Sequence, residues 1–94
     1  MLFRSNALSD VENALVSYVN EQIRRRSLVE AVEASRTAVT LADELYARGL
    51  SDFLTVLEAQ RSLYANEDLL VQSDRAVAVS LMSLYKAQIG RAHV

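Results

Sequence analysis

A single glycine divides this sequence into two long helix-forming halves. The 94-residue chain contains no proline, and its two glycines are Gly49 and Gly90. From Ala7 to Arg48 neither residue type interrupts a run rich in Ala, Leu, Glu, Gln and Arg, all of which favour helices. The run after Gly49 is equally uninterrupted as far as Gln88. A chain so poor in turn-forming residues is predicted to be all-α, with long helices and one turn.

The predicted turn covers residues 49–51, between a helix over about 7–48 and a helix over about 52–88. Gly49 can adopt the positive φ that ends a helix. Either Ser51 or Asp52 can then cap the next helix by accepting a hydrogen bond from one of its free N–H groups. So short a connection folds the second helix back antiparallel to the first, which predicts a long-helix coiled-coil hairpin with arms of roughly 60 Å.

Composition excludes several classes of function. The formal charge of −2 argues against nucleic-acid binding, which needs a surplus of Lys and Arg. The absence of cysteine excludes a disulfide scaffold, a thiolate metal site and a cysteine nucleophile. The sequence has no glycine-rich phosphate loop and no Glu-x-x-His pair, and its only histidine is His93. We therefore expect no enzymatic activity, no cofactor and no metal site.

Both ends of the chain resemble a common sequencing-library adapter. Residues 2–5 can be encoded by a strand whose reverse complement, shifted by two bases, encodes residues 89–91. Residues 1–5 and 89–94 are therefore predicted to come from the adapter, and residues 6–88 to form the native hairpin; the alternative is a native helical tail. If the ends are foreign, His93 is foreign too, and Gly49 is the one native glycine.

Two adjacent apolar lines follow the second helix, each with strict seven-residue spacing. The Leu63 seam consists of Val56, Leu63, Leu70, Val77 and Leu84. The Tyr64 seam consists of Leu57, Tyr64, Val71, Ala78 and Tyr85. The first helix offers Leu28, Val32, Val39 and Tyr46 interleaved with the small residues Ala31, Ser35, Ala38 and Ala42. Because a two-stranded hairpin needs only one stripe, the second seam predicts further helices beside it in a larger assembly.

Three motifs agree with one known family. Residues 46–60 carry Tyr-x-x-Gly followed by Leu-x-Val-Leu-Glu-Ala-Gln, residues 10–15 read Asp-Val-Glu-Asn-Ala-Leu, and residues 84–87 read Leu-Tyr-Lys-Ala. In this order and spacing they resemble the outer-membrane efflux protein family, the channel components of tripartite drug pumps and type I secretion systems. The resemblance covers Asn6 to Ala87. The family's usual continuation, Leu-Gly-Gly-Gly-Trp, is replaced by Gln88 and the adapter-like tail.

The resemblance implies a homotrimer with a β-barrel in the outer membrane of a Gram-negative bacterium and an α-barrel tunnel across the periplasm. This chain would be the last long helix pair of that trimeric α-barrel channel, turning at its periplasmic tip. The family exports drugs and other small molecules, and its tip docks a periplasmic adaptor protein that joins it to an inner-membrane pump. By position, the implied tip, gate and docking residues are Tyr46, Gly49, Leu50, Ser51, Asp52 and Phe53.

Two of the implied tip residues need qualification. One family member closes its aperture with a basic residue that bonds to the tyrosine matching Tyr46. Ser51 stands in the place of that basic residue here, so the chain lacks the charge for the same contact. Tyr46 is interpreted either as a gate residue or as a staple across the turn.

Polar residues form a third seven-residue line beside the seams. Its members are Phe53, Gln60, Glu67, Asp74 and Leu81. Gln60, Glu67 and Asp74 are predicted to face a water-filled lumen, where carboxylates favour cations, or alternatively to lie on a solvated outer face.

An arginine triplet at residues 24–26 also allows two interpretations. It indicates either an anionic partner or a solvated face with ion pairs one turn apart to Glu21, Glu30 and Glu33.

A second function of a different class fits the heptads alone. The chain could be a coiled-coil hairpin interaction module, such as a periplasmic adaptor (membrane fusion) subunit. A channel predicts a preceding β-hairpin and an earlier related helical repeat, whereas an adaptor predicts flanking lipoyl-like and barrel segments.

Overall fold

The computed structural model describes residues 2–92, with side chains described from Leu8 to Gly90. Helix α1 spans Leu2–Ala47 and helix α2 spans Phe53–Ala92. The predicted all-α class, with two long helices and one turn, is confirmed. Of the predicted adapter-derived ends, Met1, His93 and Val94 lie outside the described residues.

The predicted helix ends are close to the observed ones at the turn and differ at the outer ends. Helix α1 begins at Leu2 rather than near residue 7, and α2 continues to Ala92 rather than stopping near residue 88. Both extensions consist mostly of residues that tolerate a helix, and the single Gly90 costs only about 1 kcal/mol there. Within residues 2–92, neither helix has a stretch apolar enough to cross a lipid bilayer.

The chain forms two compact units, each built from a stretch of α1 and a stretch of α2. The turn unit consists of residues 26–72 and includes the connection between the helices. Within the described residues, the terminal unit consists of residues 2–25 and 73–92.

The turn unit is an antiparallel helical hairpin that buries one seam of α2. Val56 is 3% exposed and lies in the core with Val32 and Ala42. Leu63 and Leu70 are half-buried. On α1 a series of buried and half-buried residues recurs at three- and four-residue steps, the spacing of coiled-coil packing: Leu28, Val32, Ser35, Val39 and Ala42.

The Tyr64 seam lies on the outside of the same unit. Leu57 is 44% exposed and Tyr64 is 63% exposed, and Val71 is exposed as well. Two members of the predicted α1 stripe, Ala38 and Tyr46, are also exposed. The prediction of two apolar seams is therefore correct in outline, but the hairpin itself uses only the Leu63 seam.

The terminal unit follows the same pattern with more polar residues in the contact. Val77 and Leu84 are half-buried and Tyr85 is exposed. Ser73 is fully buried, and Glu21 on α1 is half-buried beside it. Small or polar residues there let the two stretches approach closely, but they make polar contacts necessary, because buried polar groups need partners.

Candidate functional site

The turn between α1 and α2 begins with a helix end closed by its own backbone. Gly49 has φ of 71°, in the left-handed region. The Gly49 N–H donates to the Tyr46 carbonyl at 3.0 Å, and the Leu50 N–H donates to the Leu45 carbonyl at 2.8 Å. This pair of bonds is the Schellman motif, which satisfies carbonyls that the end of α1 would otherwise leave free. The sequence prediction that Gly49 ends the helix with a positive φ is confirmed.

Asp52 caps the start of α2. Its Oδ1 accepts hydrogen bonds from the Thr55 N–H at 3.0 Å and from the Thr55 hydroxyl at 2.8 Å. The bonds from the Thr55 hydroxyl and then its N–H stabilise the charged form, so the pKa of the Asp52 carboxyl is lowered from its ordinary value. The sequence left Ser51 and Asp52 as alternative caps, and the structure selects Asp52.

Tyr46 and Phe53 form an aromatic pair across the turn. Their ring centroids are 5.4 Å apart and their planes are inclined at 54°. The pair joins the last turn of α1 to the first turn of α2, a geometry that favours aromatic contact. Both rings remain exposed at their outer faces. The contact that a staple across the turn requires is thus present, and the role of Tyr46 as a gate residue stays a prediction.

The end of the hairpin presents an apolar surface, called here the turn cap. Leu50 is 70% exposed, and the other three apolar members are also exposed. The turn cap consists of Tyr46, Leu50, Phe53 and Leu54. Ser51, which follows Leu50 in the sequence, is half-buried and adds no charge to this surface. All six residues implied as tip residues thus lie at this turn, although their roles at a channel mouth stay a prediction.

The three residues predicted to face a lumen differ in their exposure. Gln60 and Glu67 are half-buried, and Asp74 is exposed. Asp74 forms an ion pair with Arg25 of α1. That contact compensates the Asp74 charge, so this carboxylate would contribute less to a negative lumen field than the sequence pattern suggested.

The arginine triplet is divided between two kinds of contact. Arg24 pairs with Glu21 three residues earlier at 2.9 Å, which matches the interpretation as a solvated helical face. Arg25 instead reaches Asp74 on the other helix. In the part of the chain with described side chains, no group of three or more acidic or histidine residues is placed to hold a metal ion.

Sequence reasoning missed Thr55, Leu54 and the Arg25–Asp74 pair. The signal for Thr55 was present, because a cap residue followed three positions later by a polar residue is a common start of a helix. The Arg25–Asp74 pair had no comparable signal, since it depends on how the two helices face each other.

A groove lies between the helices of the turn unit. Small side chains form most of its walls, and one carboxylate stands at its edge. Its lining includes Ser35, Ala38, Ala42, Glu58, Ala59 and Ser62.

The Asp52 cap predicts a pH dependence. Because the folded pKa is lowered, the cap stabilises the hairpin fully above the ordinary carboxyl pKa of about 4, and this contribution is lost as pH falls through the folded pKa. Asp52→Asn keeps an acceptor oxygen but cannot titrate. We expect its thermal midpoint, followed by circular dichroism, to be lower than wild type near neutral pH and to converge with it as the pH falls through the lowered pKa of Asp52. A constant gap between the two proteins across that range would contradict the assignment.

Comparison with known proteins decides the family. The profile of the outer membrane efflux protein family matches residues 4–88. The chain belongs to the outer membrane efflux protein family. The family's predicted motifs at residues 10–15, 46–60 and 84–87 all fall within the matched segment.

Curated relatives of this efflux protein segment include export and nodulation proteins. The chain is 37% identical over 81 residues to the pyoverdine export outer membrane protein OpmQ of Pseudomonas putida, covering 86% of the chain and 17% of the relative. It is 36% identical over 81 residues to OpmQ of Pseudomonas aeruginosa, with the same coverage. Nodulation protein T of Rhizobium leguminosarum bv. trifolii is 38% identical over 68 residues, covering 72% of the chain and 15% of the relative.

The efflux protein segment is thus short beside its relatives, spanning 17% of the length of each OpmQ protein. No solved structure gives a significant match to it.

Proposed function

We propose that this chain is the segment of an outer-membrane efflux channel that forms part of the periplasmic α-helical tunnel and its tip. In the whole protein, a homotrimer would carry drugs or other small molecules from the periplasm through the outer membrane. An inner-membrane pump and a periplasmic adaptor would deliver them to the tip. Membership of the outer membrane efflux protein family is the observation that carries this proposal, and it favours the channel over an adaptor subunit.

The turn cap supports the assignment of the tip as a docking surface. Four apolar side chains, two of them aromatic, lie exposed around a turn whose backbone is already closed by hydrogen bonds. Exposed apolar patches of this kind mark contact surfaces. Aromatic residues are also enriched where proteins bind each other. An adaptor hairpin docked there would cover Leu50 and Leu54, which the hairpin leaves open to solvent.

The Tyr64 seam supports the assignment of the two arms as part of a barrel wall. A hairpin that buries the Leu63 seam within itself and exposes a second seam on α2 can join a neighbouring helix on that side. Such lateral contacts, repeated around a ring, make a tunnel. Relatives named for pyoverdine export are consistent with an export role for that tunnel.

The flanking DNA tests the channel assignment directly. A channel gene is expected to encode a β-hairpin before this segment and an earlier, related helical repeat. Lipoyl-like and barrel segments in their place would overturn the proposal in favour of an adaptor. The same DNA tests the adapter-derived ends, because native codons continuing before Asn6 and after Gln88 in the same frame would refute them.

The tip assignment predicts a functional effect of Tyr46 in the full-length channel. Tyr46→Phe keeps the ring that contacts Phe53 and removes only the hydroxyl, so the fold should survive. We expect single-channel conductance in lipid bilayers to change by about twofold or more, because a polar group at a constriction controls ion passage.

The matched control is Tyr85→Phe, the same change at an exposed tyrosine of the terminal unit. We expect it to leave conductance at the wild-type value. Equal conductance in wild type and both variants would remove the functional support for the tip while leaving the family assignment intact.

A further inference from the structure

The two seams of α2 compete for the same place against α1. Both have seven-residue spacing, and they are adjacent on the helix. In the turn unit Leu70 is half-buried and Val71 is exposed; in the terminal unit Leu84 is half-buried and Tyr85 is exposed. Apolar area does not point one way at every position: Leu70 and Val77 are larger than Val71 and Ala78, whereas the tyrosine rings of the Tyr64 seam bury at least as much apolar surface as the leucines beside them. Polar contacts can therefore contribute to the choice of the seam that faces α1.

Each unit contains a polar contact between the helices beside the buried seam, and the terminal unit also has the Arg25–Asp74 ion pair. In the turn unit, Asn66 Nδ2 donates a hydrogen bond to Ser35 Oγ at 2.6 Å. In the terminal unit, Ser73 Oγ donates to Glu21 Oε1 at 2.8 Å, and Ser73 has no exposed surface. Among the residues with described side chains, no buried polar atom lacks a hydrogen-bond partner.

Packing the Tyr64 seam would require α2 to rotate by one residue, or about 100°. That rotation replaces Asn66 by Glu67 and Ser73 by Asp74 at the contact positions. In the terminal unit the Asp74 carboxylate would then stand against Glu21, so that two like charges share a half-buried site. In the turn unit the half-buried Glu67 carboxylate would replace the Asn66 amide beside Ser35, and the hydrogen bond that the amide donates would be lost. Both replacements place a carboxylate at the contact between the helices, where a buried charge needs a partner.

We propose that the Asn66–Ser35 and Ser73–Glu21 hydrogen bonds select the rotation of α2, so that the Leu63 seam packs on α1 and the Tyr64 seam stays free for other contacts. Polar residues at coiled-coil contact positions act in this way, because only one arrangement satisfies them. The inference concerns the hairpin alone and does not depend on the export function.

Labelling of engineered thiols measures which seam is buried. The chain has no cysteine, so each introduced thiol reports without background. The turn-unit reporters are Leu70→Cys and Val71→Cys, each made with and without Asn66→Ala. The terminal-unit reporters are Leu84→Cys and Tyr85→Cys, each made with and without Ser73→Ala. Alanine favours helix, so the substitutions do not weaken α2 itself.

In each unit, the labelling rates of the two reporters are expected to change in opposite directions. In the wild-type background the Val71→Cys thiol reacts with a maleimide faster than the Leu70→Cys thiol. Asn66→Ala should speed labelling of Leu70→Cys and slow labelling of Val71→Cys, changing the ratio of rates by about threefold or more. Ser73→Ala should do the same for Leu84→Cys and Tyr85→Cys.

Two controls separate rotation from loosening. Gln72→Ala in the turn unit and Ser83→Ala in the terminal unit remove exposed polar side chains of α2 and should leave both ratios unchanged. The exchange Ser35→Asn with Asn66→Ser restores a hydrogen bond in reverse and should restore the turn-unit ratio. If labelling of both reporters rises together, the substitution has only loosened or unfolded the hairpin, and the proposal is overturned. Unchanged rates would overturn it as well.

Discussion

Val56→Asp is expected to unfold the turn unit. Val56 is 3% exposed and is one of the few buried apolar side chains among the described residues. Aspartate there would bury a carboxylate without a partner, at a cost of about 3 kcal/mol or more. Circular dichroism during urea unfolding should show loss of the cooperative transition, or a midpoint far below that of the wild type.

The adjacent residue provides the matched control. Leu57→Asp makes a comparable change at a position that is 44% exposed on the Tyr64 seam. In the isolated chain its urea midpoint should stay near the wild-type value, because the carboxylate remains in water. Similar losses in the two variants would show that the Tyr64 seam, and not only the Leu63 seam, packs within the hairpin.

Gly49→Val is expected to be the second most damaging change. Gly49 has φ of 71°, which a β-branched residue rarely adopts. A Cβ built at Gly49 has no atom within 4 Å, so the cost comes from the backbone and not from a clash. We expect a loss of about 1–2 kcal/mol in the free energy of unfolding, measured by urea titration.

Gly90→Val is the matched control, and its expected effect on the free energy of unfolding is zero or opposite in sign. Gly90 lies within α2, and a Cβ there also meets no atom within 4 Å. Gly90→Val should therefore be neutral or stabilising by a few tenths of a kcal/mol, since valine has a higher helix propensity than glycine. If Gly49→Val is as harmless as Gly90→Val, the turn does not depend on the positive φ.

Local chemistry made much of the fold predictable. Gly49 was the one residue able to close a helix within an otherwise uninterrupted sequence, so it located the turn. The strict seven-residue spacing of Val56, Leu63 and Leu70 predicted a coiled-coil contact. These features depend on residues close in sequence, where helix geometry fixes the side-chain positions.

The remainder depended on contacts between distant residues. The sequence could not choose between the Leu63 and Tyr64 seams, because their spacing is the same. It also gave Asp74 as a lumen candidate, since nothing in the local pattern pairs it with Arg25. At the site, the family motif located the turn residues, but the choice of Asp52 over Ser51 as the cap depended on the geometry around Thr55.

The closed turn has a consequence for how such proteins can diverge. Its geometry is maintained by backbone bonds at Gly49 and Leu50 and by the Asp52–Thr55 cap. The side chains of Leu50 and Leu54 point away from this framework and remain open to solvent. Their identity can therefore change with little effect on folding. A lineage could exchange one binding partner for another by substituting these side chains while keeping the same scaffold.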